Sequence, residues 1–270
     1  MAEEAGMITI SGLVVVFGAG TPLEKRALNG IDLKIEQGEF VTVIGSNGAG
    51  KSTLLNAIAG DLPPARGRIE IDSRDVTGWQ TARRAELVAR VFQDPLSGSC
   101  AELSIEENMA LAAARGSRRG IRHALGAGRR SLFRERVREL GLGLENRLTD
   151  KMALLSGGQR QATAILMATL APSSVLLLDE HTAALDPGMA EFVLDLTTRI
   201  VAEKGHTTMM VTHSMSQALS VGTRTIMLHE GGILLDVSGE ERARLTIEDL
   251  VAKFRTIRGR PIDDDSLLIG

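Results

Sequence analysis

The chain has 270 residues, 43% of them hydrophobic, enough apolar material for one large domain or two small ones. Its formal net charge of -3 carries no whole-chain signal for nucleic acid or a membrane surface, and its single cysteine, Cys100, excludes an intrachain disulfide framework and fits a reducing compartment. The acidic start at Met1, Ala2, Glu3 and Glu4 is unlike a secretory signal, and no apolar run approaches the roughly 20 residues of a membrane span. A soluble chain is therefore expected, one whose membrane role, if any, comes through a partner.

In chain order, Ile8-Thr9-Ile10 and Leu13-Val14-Val15-Val16-Phe17 are β-rich, residues 18–22 break the pattern, and Ile31-Asp32-Leu33-Lys34-Ile35 alternates. These strands predict an antiparallel sheet. Phe17, the first aromatic residue of the chain, is either a platform for a purine ring or a buried strand residue, and composition favours the second. Phe40-Val41-Thr42-Val43-Ile44 reads as a buried parallel strand, and residues 53–59 as a helix stopped by Gly60. Between them Gly45, Ser46, Asn47, Gly48, Ala49, Gly50, Lys51, Ser52 and Thr53 match the phosphate-loop pattern G-x-x-x-x-G-K-[ST]. Glycines let the backbone turn tightly, and loop N–H groups at a helix start converge on phosphate oxygens. Lys51 would reach the β- and γ-phosphates, and the Ser52 hydroxyl would ligate Mg²⁺.

Further on, Arg68-Ile69-Glu70-Ile71-Asp72 alternates as a strand, residues 82–87 look helical, and Val88-Ala89-Arg90-Val91-Phe92 is a strand that opens into a loop at Gln93-Asp94-Pro95. Residues 97–170 are helical in pattern, with Ser104 and Glu107 forming a capping box. Nine arginines and one acid, Glu135, fall between Arg115 and Arg138. Such a bias suits either a solvated connection or a surface for phospholipid headgroups or an acidic partner. Nucleic acid is disfavoured because no aromatic residues are interleaved for stacking. Leu155-Ser156-Gly157-Gly158-Gln159 precedes a helix predicted over 162–170, and Ser156 with two glycines at a helix start is a second anion cradle with no second ligand on its own chain. Ser174-Val175-Leu176-Leu177-Leu178 is a buried strand ending in Asp179 and Glu180, a pair suited to holding a metal ion and to taking a proton from an attacking water. A helix is predicted over 189–202. His213 lies just past a buried strand over 207–212, with further strands over 225–228 and 232–235 and a helix over 246–254.

Together these stretches resemble the ATP-binding cassette, the ATPase subunit of ABC transporters, over about residues 7–255. The resemblance assigns Gln93 as a Q-loop glutamine, Leu155 to Gln159 as the signature, Ala184-Leu185-Asp186 as a D-loop and His213 as a switch histidine, and it places Phe17 at an adenine-stacking position where tyrosine is usual. His181 stands where proline commonly follows the glutamate, and sets a titratable group beside Glu180. The implied fold is α/β: a P-loop NTPase core with a mixed, largely parallel sheet, an N-terminal antiparallel β-subdomain and an inserted α-helical subdomain, all one cassette over 1–270 with the core at 1–94 and 165–270 and the helical part at 95–164.

The implied cofactors are ATP and Mg²⁺. The implied catalytic residues are Glu180, His213, Lys51 and Gln93, with Ser52, Gln93 and Asp179 toward the metal and the phosphate loop, Phe17, Ser156, Gly157, Gly158 and Gln159 toward nucleotide. Two cassettes would sandwich two ATP molecules and drive a transmembrane permease, indirectly served by a substrate-binding protein, from the cytoplasmic face of a bacterial membrane. Residues 180–187 and 92–95 are similar to cassettes of tryptophan/tyrosine-type import systems. The alternatives are a cassette of translation or DNA repair, which would carry tandem cassettes or long insertions, and a non-hydrolysing regulatory subunit, which would be expected to lack Lys51, Glu180 or His213.

Overall fold

The computed structural model describes residues 7–116 and 125–258. Part of the arginine-rich segment, including Arg118, Arg119 and Arg122, lies outside the described residues. In chain order the elements are β1 (Ile8–Phe17), β2 (Lys25–Ile35), β3 (Phe40–Gly45), α1 (Lys51–Ala59), β4 (Arg66–Ile71), β5 (Arg74–Asp75), α2 (Thr81–Arg84), β6 (Val88–Val91), α3 (Ile105–Ala113), α4 (Ala127–Arg138), α5 (Gly157–Ala168) and β7 (Val175–Asp179). They continue with α6 (Pro187–Lys204), β8 (Thr207–Val211), α7 (Met215–Ser220), β9 (Arg224–His229), β10 (Gly232–Ser238), α8 (Gly239–Ala243) and α9 (Ile247–Arg258). The chain divides into two compact units, one of residues 1–81 with 205–270 and one of residues 82–204.

The first unit contains the antiparallel sheet, in the order β2-β1-β4-β5. The two β-rich stretches at 8–10 and 13–17 are one strand: the pairing with β2 shifts register between Ile10 and Leu13, where Gly12 has φ 56° and its N–H donates to Asp32 Oδ1 at 2.7 Å. A bulge of this kind inserts an extra residue without ending a strand. In the same unit β3 runs parallel to β8 on one side and β9 on the other, with Phe40 opposite Thr208 and Gly45 opposite Leu228. All six residues of β3 are buried, which explains its nearly all-apolar sequence. Its one polar side chain, Thr42, donates to the Ala218 carbonyl and meets the Thr225 hydroxyl at 2.9 Å, so this buried hydroxyl is not stranded.

The second unit contains the parallel pair β6 and β7, with Val88 opposite Val175 and Val91 opposite Leu178. Val175, Leu176, Leu177 and Leu178 have no exposed surface. Each such side chain contributes roughly 1.5–3 kcal/mol of burial, so the strand is anchored firmly enough to fix the position of Asp179 and Glu180 at its end. The predicted capping box is present on α3: Ser104 Oγ accepts the Glu107 N–H, and Glu107 Oε2 accepts the Ser104 N–H at 2.8 Å. The helix expected over 82–87 is shorter, one turn at Thr81–Arg84, because the Glu86 and Leu87 N–H groups bond back as turns to Arg83 and Arg84. The helix expected from 162 starts earlier, at Gly157, because the Ser156 side chain caps it.

A two-residue turn at Glu230-Gly231, both with positive φ, joins β9 to β10. It carries a role beyond the hairpin. The Gly231 N–H donates to the Ala49 carbonyl at 3.0 Å, and the Gly231 carbonyl accepts the Asn29 N–H at 2.8 Å. A Cβ at Gly231 would fall 2.7 Å from the Ala27 carbonyl oxygen, whereas one at Gly205, also at positive φ, would meet nothing within 4 Å. Gly205→Ala is expected to cost about 1 kcal/mol, the left-handed penalty alone. Gly231→Ala adds a backbone collision and is expected to cost roughly 2–4 kcal/mol and to weaken nucleotide binding. Thermal melts of the two variants beside nucleotide titrations check the difference.

Candidate nucleotide site

The phosphate loop joins β3 to α1. Gly45, Gly48 and Gly50 have φ values of 156°, 79° and 105°. At Gly50 the conformation and the space agree: a Cβ there would lie 2.8 Å from both the Ala27 carbonyl oxygen and Leu28 Cδ2. The loop closes on itself through the Ala49 N–H donating to the Ser46 carbonyl at 3.0 Å. Lys51 is 5% exposed, and its ammonium donates to the Gly45 carbonyl at 2.7 Å and to the Ser46 carbonyl at 3.4 Å. The loop's own carbonyls therefore hold the cation inside the turn. Asn47, Gly48 and Ser52 are exposed, and Thr53 is half-buried.

The start of α1 differs from the other helices near the candidate residues. Ser104, Ser156 and Ser214 each cap their helix with a side-chain oxygen, while α1 begins at Gly50 with no side-chain cap and no acid in its first turn. Its first N–H groups and the positive end of its dipole are thus left for an anion. His213 belongs to the same unit, half-buried just beyond β8, between Thr212, whose hydroxyl accepts the Ser214 N–H, and Ser214, which caps α7. Phe17, at the end of β1, is 42% exposed rather than buried, so the strand-core alternative for it falls away.

In the second unit, β7 delivers Asp179 and Glu180. Asp179 accepts a hydrogen bond from Arg90 Nη2 at Oδ2, 2.7 Å away. Glu180 is one of four non-glycine residues at positive φ among the described residues, at 47°. That conformation costs an L-residue roughly 1–2 kcal/mol, and it is imposed here by the turn in which the Ala183 N–H bonds to the Glu180 carbonyl. Gln93 is exposed just past β6. Asp186 accepts the Met189 N–H at its side chain and the Ala190 N–H at its carbonyl, so it caps α6 with Pro187 at the first helical position.

At the signature, Ser156 Oγ accepts the Gln159 N–H and Gln159 Oε1 accepts the Ser156 N–H, a capping box. The hydroxyl proton of Ser156 remains available to donate, since a hydroxyl is one donor and two acceptors. The two glycines differ. A Cβ at Gly158 would lie 3.1 Å from Met189 Cγ and 3.3 Å from its Cβ, and would displace the flexible Met189 Cε, so the fit against Met189 is tight. A Cβ at Gly157 would meet only Leu185 Cδ2, at 3.8 Å, an ordinary contact. Within the described chain nothing crowds Gly157.

The residues that the sequence resemblance assigns toward a metal, Ser52 in the first unit and Gln93 and Asp179 in the second, all carry hard oxygen donors. No cluster of three or more His, Cys, Asp or Glu occurs among the described residues. Such a set suits Mg²⁺, which is held by one or two carboxylates together with phosphates and water rather than by an all-protein cage.

A phosphate loop with an uncapped helix behind it and a buried strand ending in Asp-Glu define a P-loop nucleotide-binding ATPase. The ABC transporter family profile matches residues 28–183. A tyrosine transport ATP-binding protein of Clostridioides difficile (strain R20291) is 45% identical over 225 residues, which cover 83% of this chain and 89% of that protein. The thiamine import ATP-binding protein ThiQ of Yersinia pestis is 36% identical over 205 residues, 76% of this chain and 82% of that one. Among solved structures, a dimeric post-hydrolysis state of the ATP-binding cassette MJ0796 with ADP and Pi superposes with a TM-score of 0.75 at 29% identity, covering 86% of this chain and 98% of that one. CbiO1 of Clostridium perfringens, part of the ABC transporter complex cbiONQ, superposes with a TM-score of 0.72 at 26% identity, covering 95% and 97%. The chain belongs to the ABC transporter family, has the ABC ATPase fold, and is an ATP-binding, ATP-hydrolysing transporter subunit. No helix among the described residues is long and apolar enough to cross a membrane.

His181 turns away from the chemistry. Its ring is 2% exposed, and Nε2 lies 3.0 Å from the Thr197 hydroxyl. That hydroxyl donates to the Val193 carbonyl at 2.7 Å, so it accepts from His181, and the imidazole proton sits on Nε2. Burial lowers the His181 pKa from 6.5 to about 4, and the ring is neutral at physiological pH. The sequence position beside Glu180 thus brings no second titrating group to the site. The unfolded chain binds the proton more readily than the folded one between these two values. Stability from this residue is therefore complete above about pH 6.5 and is lost as pH falls toward 4, at about 1.4 kcal/mol per pH unit. His181→Gln, which keeps a donor for Thr197 and cannot titrate, is expected to flatten that slope in urea unfolding measured across the window.

Proposed function

We propose that this ATPase energises a bacterial importer of an aromatic amino acid or a compound of that class, acting on a separate permease subunit that is in turn served by a substrate-binding protein. The observation that carries the cargo class is the 45% identity to a tyrosine transport ATP-binding protein, against 33% to the energy-coupling factor protein EcfA2 of Acetivibrio thermocellus and 36% to ThiQ. The cassette would sit peripherally on the cytoplasmic face of the membrane. The helical part, at 95–164 beside a core of 1–94 and 165–270, would dock the permease. It exposes Leu96, Leu111 and Leu154, at 36%, 58% and 66%.

The residue roles rest on their chemistry. Gly45 to Thr53 wrap the phosphates with backbone N–H groups, Lys51 neutralises the β- and γ-oxygens, and Phe17 stacks on adenine. Ser52, Asp179 and Gln93 supply oxygen donors to Mg²⁺, which when bound offsets charge on the phosphate oxygens. Glu180 accepts the proton of the attacking water, and His213 orients that water or contacts the γ-phosphate. Ser156, Gly157, Gly158 and Gln159 cap the ATP of a second copy. The room at Gly157 supports this reading, because a ligand from outside the chain can approach the backbone there. Two-fold symmetry lets each copy's signature cover the other's phosphate loop, an isologous contact.

Lys51→Ala is expected to lower ATP turnover by at least about a hundredfold, the scale seen when one preorganised charge-stabilising donor is removed. Phosphate release at saturating ATP measures it, and wild-type turnover would sink the assignment. Glu180→Gln preserves shape and removes the base, so a dimer should accumulate with ATP and not with ADP. Adding Ser156→Arg should prevent it. Size-exclusion chromatography with light scattering distinguishes these states, and a dimer that survives Ser156→Arg would refute the capping role.

A further inference from the structure

Arg90 is the one charged residue in the strand Val88-Ala89-Arg90-Val91. It is opposite Leu177 in the parallel pair, and side chains two residues apart on a strand share a face, so Arg90, Phe92 and Asp179 fall on one side of β6 and β7. The guanidinium reaches along that face. Its centre lies 4.6 Å from the centroid of the Phe92 ring, and Nη2 donates to Asp179 Oδ2 at 2.7 Å. The two side chains are only 12% and 13% exposed. Stacking on Phe92 restricts the planar cation, and the planar cation in turn fixes the rotamer of the carboxylate. One carboxylate oxygen is thereby committed to Arg90. The strand pair is also held by its backbone ladder and by the apolar residues Val88, Ala89 and Val91.

We propose that Arg90 is a positioning residue that makes Asp179 a one-oxygen metal ligand, and so favours Mg²⁺ over Ca²⁺ at the nucleotide site. This rests on the reading of Asp179 as the metal-facing carboxylate. With the guanidinium bonded to Oδ2, the Asp179 oxygen left clear of it is Oδ1. Mg²⁺ takes carboxylates through single oxygens in a strict octahedron, whereas the larger Ca²⁺ takes six to eight oxygens and accepts carboxylates through both at once. A carboxylate held at one oxygen by a stacked guanidinium meets the first demand and denies the second.

The test is equilibrium binding of a non-hydrolysable ATP analogue to the full chain in Mg²⁺, in Ca²⁺ and in EDTA. Arg90→Met should reduce the preference for Mg²⁺ over Ca²⁺ by about tenfold, in the range found when groups that orient metal ligands are removed. Binding in EDTA should be unchanged, which separates positioning from loss of fold. Arg90→Lys, which restores one charged donor without the planar stack, should recover part of the preference. A preference unchanged in Arg90→Met overturns the proposal. So does equal weakening in all three conditions, which would mean a structural role only, or tighter binding of both metals, which would make Arg90 a competitor for the carboxylate. Asp179→Asn is the control for the underlying reading: it should abolish the benefit of Mg²⁺ over EDTA. If it does not, Asp179 is not the metal-facing group and the proposal falls with that assignment, whatever Arg90 does.

Discussion

Around Gly50 and Gly231 the backbone packs directly on backbone. At both positions a single Cβ would strike the same atom, the Ala27 carbonyl oxygen, at 2.8 and 2.7 Å. The phosphate loop, the first strands of the antiparallel sheet and the β9–β10 turn therefore share one point of contact with no room for side chains. Glycine is needed there both for conformation and for space, which is a stronger requirement than flexibility alone. The Gly231 N–H bonded to the Ala49 carbonyl ties the turn to the loop. The product is a loop whose N–H groups are held in place before any ligand arrives, and preorganisation is what makes backbone dipoles effective against phosphate charge.

Helix ends in this protein are divided by what satisfies them. Ser104, Ser156 and Ser214 complete their own helices, while α1 has no side-chain cap. An uncapped helix start costs free energy unless something else meets its donors, and in the proposed role the nucleotide's phosphates would meet those of α1. The signature serine is used twice in this scheme. Its oxygen closes α5, yet its proton can still be given away, so a structural cap and an anion contact are compatible in one residue.

Charge is handled as strictly as space. Asp179 is mostly buried and is paired to Arg90, and Glu106, also buried, is paired to Arg130 at 2.9 Å. His181 avoids the cost of a buried charge by staying neutral, with its proton directed at Thr197. Beside it Glu180 holds a left-handed conformation. Local strain of this sort persists only where neighbouring structure over-determines it, and four fully buried residues of β7 on one side and the turn to α6 on the other do so.

The order of motifs, the family and most elements are legible in the sequence, because each rests on local pattern: glycine spacing at residues 45–50, an apolar run before Asp179, Ser104 three residues before Glu107. Boundaries shift where a tertiary or cap contact decides them, as at Gly12, where a bulge continues a strand that reads as two, and at Gly157, where a serine cap starts α5 five residues before its apolar stripe. Composition misplaces Phe17 in the core, since burial of a strand's last residue depends on what covers it. Only the folded chain shows that His181 faces the core, that Gly158 is packed tightly against Met189 while Gly157 has room, and that Arg90 reaches Asp179 across 89 positions of sequence. Local chemistry is written along the chain. Which side chain shares space with which depends on strand register and helix packing, and those are fixed only when the core closes.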